Sequence, residues 1–208
     1  MATAENPSRV EEGSHGRSGH GRRSGPFRFT IDQAYKITEL GFFDDRRVEL
    51  LDGIFYEMTL NPPHVVATGV IRDWLIRVFG AAYTILDGKP LDLGRKSHPE
   101  PDLAVVVGGP RDYSGSHPKT ALLVVEVSDS TLKKDRGLKA HLYARAGLAD
   151  YWIINVNDRQ IEVHRDPGPD PARRGRFRYR EVTIVPAEGR LSPLARPDDF
   201  IGVADLLP

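Results

Sequence analysis

The apolar positions of this chain fall into short runs with helical or strand spacing, separated by turn residues. FTIDQAYKITELG opens the pattern: Thr30 and Gln33 have the spacing of a capping box, and Gly41 suits the position just past a helix end. RRVELLDGIFYEM follows, and its Asp52-Gly53 pair between apolar runs predicts a hairpin. Asn61 as cap and Pro62 in the first turn start a helix that runs through VVATGVIRDWLIRVF to Gly80. AYTILD and PDLAVVV read as strands, the second ended by Gly108-Gly109-Pro110. ALLVVEV is a further strand, after which Ser130 is positioned to cap the helix TLKKDRGLKAHLYARA, stopped by Gly147. YWIINV and QIEVHR predict a strand pair turning at Asn157-Asp158. Asp166 to Gly175 reads as a Pro, Gly and Arg loop, FRYREVTIV as a strand, and PDDFIGVADLL as a short C-terminal helix. The fold class expected is mixed α/β, with helices packed on a central sheet whose middle strands are almost wholly apolar.

Residues 1–26 break this pattern, being Gly, Ser, Arg and His with little that is apolar. Such a segment cannot bury enough surface to offset its ordering entropy, so a disordered tail is expected there, followed by one domain over 27–208. Lys plus Arg is 29 and Asp plus Glu is 29, so no global field attracts a polyanion, although a local basic patch can. With no cysteine, disulfides and thiolate metal sites are excluded. No apolar run approaches the roughly 20 residues that span a bilayer. The expectation is a cytoplasmic protein with no membrane partner.

Three acids sit where the apolar pattern predicts burial. Glu126 lies within the run ALLVVEV, and a lone carboxylate in an apolar interior costs several kcal/mol. Asp102 opens the run LAVVV just after Pro101. In the expected hairpin Leu51 faces Ile54 and Glu49 faces Tyr56, so Glu49 shares a face with apolar side chains. Asp102 as a strand-end cap, and Glu126 meeting an arginine or emerging at a sheet edge, are the ordinary readings. The other reading is that neighbouring strands bring Asp102 and Glu126 together, where two carboxylates cannot comfortably both ionise without a cation. Oxygen-only ligation favours magnesium (Mg2+) or manganese (Mn2+). On the following helix Asp135, Lys139, Leu142 and Tyr143 share one side, so the Lys139 ammonium can point toward the sheet or into solvent. Tyr143 and Trp152 read as core.

ELLDG, PDLAVVV, LLVVEVS and DRGLKAHLYARAGLADYWIINV together resemble the Uma-type restriction endonucleases, a bacterial family of the PD-(D/E)xK nuclease superfamily. The resemblance covers about Phe27 to Leu206. It implies a restriction-endonuclease-like core, a mixed central β-sheet flanked by helices, and a magnesium-dependent endonuclease acting on DNA phosphodiester bonds. By that similarity Asp102 matches the aspartate of the PD motif, Glu126 the acid of (D/E)xK, and Glu49 the upstream glutamate. The chain departs from the superfamily at Ser128, where the motif has lysine. In the Uma-type group a lysine on the next helix resembles a replacement, here Lys139. Asp102, Glu126 and a carbonyl from Val127 would then hold the metal, with Glu49 at a second ion or a water. His64, in the first turn of its helix, and Arg173, Arg174 and Arg176, on the Pro and Gly loop, are the candidate nucleic-acid contacts. Arg178 and Arg180 extend that strip. Analogy with nucleases that cut both strands suggests a homodimer, and RNA is a conceivable substrate. The competing readings are a non-catalytic nucleic-acid-binding or regulatory module on the same fold, and a small-molecule phosphoesterase.

Overall fold

The computed structural model describes Met1 and residues 25–58 and 61–208; nearly all of the expected tail, residues 2–24, lies outside them. A six-stranded sheet organises the chain, in the order β3 (Tyr83–Asp87), β4 (Leu103–Val107), β5 (Leu123–Ser128), β6 (Asp150–Asn155), β7 (Gln160–Pro169), β8 (Phe177–Pro186). Every neighbouring pair is antiparallel except β5 and β6, which run parallel. A parallel pair needs a crossover, and the helical segment between Ser128 and Asp150 supplies it.

Strand alternation divides the core into two layers. Leu103, Val105, Leu123, Val125, Trp152 and Ile154 face α2 (Pro62–Phe79), whose Ala67, Ile71, Trp74 and Leu75 cover them. Ala104, Val106, Val124, Tyr151 and Ile153 face the crossover helix, packing on Ala140, Tyr143 and Ala144. With period two, Glu126 and Glu162 fall on the crossover-helix face.

Ahead of the sheet, α1 (Ile31–Glu39) carries the expected capping box: Thr30 Oγ1 accepts from the Gln33 N–H, and the Gln33 side chain accepts from the Thr30 N–H. β1 (Val48–Leu51) and β2 (Ile54–Glu57) pair with Glu49 opposite Tyr56 and Leu51 opposite Ile54, around a turn in which Asp52 and Gly53 both adopt positive φ. That is the geometry an Asp-Gly hairpin turn requires.

Four local expectations need correction. Asn61 begins α2, but its amide donates to Asp129 instead of capping the helix. Ser130 is not the cap of the crossover helix; Thr131 precedes it, and the helix is broken into α3 (Leu132–Lys134), a π-helical turn over Asp135–Lys139, and α4 (Ala140–Arg145). The Pro and Gly segment from Asp166 is not all loop, because β7 continues through Pro169. Past Arg165 β7 has lost β6 and pairs with β8 alone, and a one-sided edge tolerates prolines, which lack a donor. Finally, the C-terminal helix is replaced by β10 (Ile201–Gly202), paired with β9 (Arg190–Leu191), and one 3-10 turn over Val203–Asp205. Val203 and Leu206 are fully buried against the α2 layer, which that short turn achieves without a longer helix.

Candidate active site

β4 and β5 stop pairing just where their charges begin. Their last matched pair is Leu103 with Val125, and one further step in the same register sets Asp102 across from Glu126. Asp102 occupies the place the ladder leaves: its Oδ2 accepts the Val127 N–H at 2.6 Å. In extended backbone a residue's N–H and C=O point to the same side, so the Val127 carbonyl faces Asp102 as well. Glu126 is 3% exposed and Glu49 1%. Glu49 reaches the cluster from β1, where its Oε2 accepts the Glu100 N–H at 3.2 Å.

The crossover helix brings the compensating charge. Lys139 Nζ lies 2.8 Å from Glu126 Oε1 and 3.2 Å from Glu49 Oε2, while Lys134 Nζ lies 3.0 Å from Glu49 Oε1. Residues five apart lie about 140° apart around a regular α-helix, too far to grip one carboxylate. The π turn, whose hydrogen bonds run from i to i+5, brings them onto one side. Tyr143, one turn further on, donates to Glu126 Oε1 at 2.6 Å. Asp135, 1% exposed, is held by the Ser128 hydroxyl at 2.6 Å and the Thr131 hydroxyl at 2.5 Å.

From the other layer α2 contributes His64, whose Nε2 is 3.0 Å from Asp102 Oδ2. Burial opposes a positive charge on His64, but the hydrogen bond and charge of Asp102 outweigh it and raise its pKa. Burial pushes the Glu126 carboxyl well above the usual carboxylate range; Lys139 pulls it back, while Asp102, Asp135 and Glu49 push it higher. Burial likewise works against the Lys139 ammonium, and Glu126 and Glu49 prevail, raising its pKa. The cluster therefore holds a protonated lysine amid an excess of acid. Its cavity measures about 40 Å³ and is bordered by Glu49, His64, Asp102, Glu126, Asp135 and Lys139. That is room for an ion or a few waters at most. Donors recorded among the described residues fall on Oδ2 of Asp102 and Oε1 of Glu126, leaving Oδ1 and Oε2 without one among those residues. Asn61 Oδ1, also at this cavity, is buried without a hydrogen-bond partner. No three His, Asp or Glu side chains among the described residues form a ready-made metal cage.

Residues 32–200 match the Uma2 family, described as "Putative restriction endonuclease". The chain belongs to the Uma2 family. A solved structure from Anabaena variabilis, described as a putative nuclease belonging to DUF820, superposes with a TM-score of 0.66 at 12% identity, covering 86% of this chain and 97% of that one. At that identity the likeness shows the fold. No curated protein matches. Family membership supports a nuclease-like function for the chain, and the mixed sheet flanked by helices is the fold of its nuclease neighbour.

In this Uma2 member Glu49, Asp102, Glu126, Lys139 and His64 all border one cavity, although they come from four separate elements and the strand end before β4. Arg173, Arg174 and Arg176 do not; they are exposed at the β7–β8 hairpin tip, and Arg173 and Arg176 border a different cavity. Sequence reasoning missed Lys134, which only the π turn explains, and placed Asp135 on the right helix side without seeing that it is buried. It read Tyr143 as core, which it is, but not as a donor to Glu126. A tyrosine four residues after Lys139 was the available signal, since the two stack on one helix side. No helix among the described residues is long and apolar enough to cross a membrane.

Proposed function

We propose that this protein is an endonuclease that hydrolyses DNA phosphodiester bonds with a divalent metal, magnesium or manganese, at the acid cavity. The observation that carries the reading is Lys139. The strand position that bears lysine in the wider superfamily is Ser128, yet an ammonium from the helix reaches Glu126 Oε1 at 2.8 Å beside Asp102. The donor chemistry fits a hard cation: carboxylate oxygens without donors on Asp102 and Glu126, a carbonyl on Val127, and a buried amide oxygen on Asn61 without a partner. The raised pKa of Glu126 agrees with this fit, because burial first, and the neighbouring Asp102, Asp135 and Glu49 after it, oppose its charge in the absence of a cation.

Asp102 and Glu126, with the Val127 carbonyl, would hold the ion, and Glu49 a second ion or an ordered water. Such an ion acidifies water and offsets charge developing on the phosphate. His64 fixes Asp102 by engaging Oδ2, which leaves Oδ1 free. Tyr143 fixes Glu126 in the same way through Oε1. Lys139, kept as an ammonium, can donate a hydrogen bond to a non-bridging phosphate oxygen and orient the water for in-line attack, a contribution of about 10²- to 10⁴-fold. The test is nicking of supercoiled plasmid with magnesium or manganese, with and without chelator. Metal-dependent nicking by the native protein, lost in Asp102→Ala and Glu126→Ala with unchanged circular dichroism, supports the reading. Nicking that survives either substitution overturns it.

One observation favours a second reading, a non-catalytic nucleic-acid-binding module on the same fold. Lys139 and His64 already supply each of the central acids with a counter-charge. That reading expects DNA binding with no nicking under any divalent ion.

A further inference from the structure

A second cavity, of about 230 Å³, lies on a different side of the crossover helix, where Arg136 and His141 meet the tip of the β7–β8 hairpin. Its chemistry is the reverse of the first. Arg136, Arg173, Arg176 and Arg178 border it, against Asp170 and the Glu162 that Arg136 grips, an excess of two positive charges. Over the whole chain the formal charge is zero, so this excess is local. Asp170 is occupied in holding the hairpin tip, its Oδ1 accepting the Ala172 N–H at 3.0 Å. The strand arginines nearby that find carboxylates are Arg165, with Asp150, and Arg180, with Asp166; Arg173, Arg176 and Arg178 find none among the described residues.

Two histidines supply directed donors. The Phe177 N–H donates to His141 Nδ1 at 2.9 Å and the Phe177 carbonyl lies 3.2 Å from the same nitrogen, so the backbone engages Nδ1 and leaves Nε2 for a ligand. His164 is 6% exposed and borders the same cavity, and its Nε2 is buried with no hydrogen-bond partner. The acid nearest that nitrogen is Glu162, whose Oε2 lies 3.6 Å away, a long contact that leaves the nitrogen short of a full hydrogen bond. A buried ring nitrogen without a full hydrogen bond is costly, and a ligand oxygen can relieve it.

We infer that this cavity binds a backbone phosphate of the DNA strand, flanking the phosphate that is cut: Arg173, Arg176 and Arg178 supply the charge and His164 with His141 the inner donors. The inference rests on the nuclease reading for its choice of ligand. The two cavities sit on different sides of one helix, on the order of 10–12 Å across. That span is short against the roughly 34 Å of one duplex turn, so the two cavities lie within one turn of DNA of each other.

The test is fluorescence anisotropy of a labelled duplex oligonucleotide in chelator, where no cleavage occurs, with the full chain carrying Arg173→Ala and Arg176→Ala together. Both arginines are exposed, and an unchanged melting temperature verifies the fold. The expected result is an affinity about tenfold weaker at 100 mM salt, with a shallower dependence on salt by about one ion. Arg173→Lys with Arg176→Lys should recover part of the affinity. Inorganic phosphate should compete with the duplex on the native protein and lose that effect on the double variant. Native affinity and native salt dependence in the Ala variant overturn the inference. So does phosphate protection of the native protein without any change in DNA affinity, which would assign the cavity to free phosphate. Because the assay runs without metal, it is independent of nicking, so a failure of the nuclease reading stays distinguishable. If nicking occurs, the double variant should raise KM and leave kcat within about twofold.

Discussion

Glu126 and Glu162 begin as equivalent residues. Each is a glutamate inside an apolar strand, each is 3% exposed or less, and both project onto the crossover-helix face of one sheet. Their surroundings drive them apart. Glu162 takes two hydrogen bonds from Arg136 Nε, at 3.0 and 2.9 Å, a third from its Nη2, and one from Asn155 at 3.3 Å. Burial pushes its pKa up, but His164, Arg136 and Asn155 bring it down to about 2. Glu126 meets one ammonium, one phenol and three neighbouring acids; burial first, then those acids, drive its pKa up. The first carboxylate is saturated, as buried charges in stable folds are. The second is left with charge unresolved, which is the condition under which a perturbed acid in a cavity points to chemistry.

The sharpest way to break the contrast is to neutralise each acid in turn. Glu126→Gln should reduce metal-dependent plasmid nicking by at least about 10³-fold while leaving the melting temperature within a few degrees, since burial already opposes the charge that glutamine lacks. Comparable nicking by the variant would remove Glu126 from the site. Lys139→Met comes next, with nicking down about 10²- to 10⁴-fold. It should also lose on the order of 3 kcal/mol in urea denaturation, because Glu126 and Glu49 lose a shared partner. Glu162→Gln should do the opposite: nicking within about threefold of native, and stability down by about 2 kcal/mol.

A pH series sharpens that last difference. A carboxyl whose folded pKa is about 2, against an ordinary 4.5, contributes stability that is fully present above pH 4.5. It is lost as pH falls toward 2. The gap between native protein and Glu162→Gln should therefore close across that window in acid denaturation, and a gap independent of pH would show that Glu162 acts through packing. The contrast extends to metal binding: magnesium or manganese at about 100 times its dissociation constant should stabilise the native protein by about 2.7 kcal/mol and leave Glu126→Gln unmoved. Equal shifts would place the ion elsewhere.

The contrast also marks what the chain discloses before folding. The Asp52-Gly53 turn set the β1–β2 register, with Glu49 opposite Tyr56 and Leu51 opposite Ile54. Asn61-Pro62, Thr30 with Gln33, and Asp52-Gly53 marked their elements through local chemistry that acts over three or four residues. Glu126 and Glu162, by contrast, look the same in sequence. What separates them is whether an arginine or a crowd of acids lies across the fold, and Arg136 is 26 residues from Glu162. The reach of β7 through Pro167 and Pro169 was hidden for a similar reason, since a proline is tolerated only where a neighbouring strand has already ended. Lys134 was hidden by the π turn, because helical phase was read with a constant period.

That turn ties the charge of the cavity to the pitch of the helix. Five residues, Asp135 to Lys139, occupy the widened turn, with Gly137 at its centre. Forcing ordinary pitch on those five residues, with none removed, would leave Lys134 and Lys139 about 140° apart around the axis. Every acid would be untouched, yet Glu49 would lose one of its two ammonium partners. In this architecture a change of helical pitch that alters no carboxylate can retune the electrostatics of the pocket, a route to divergence that comparing acidic positions alone would overlook.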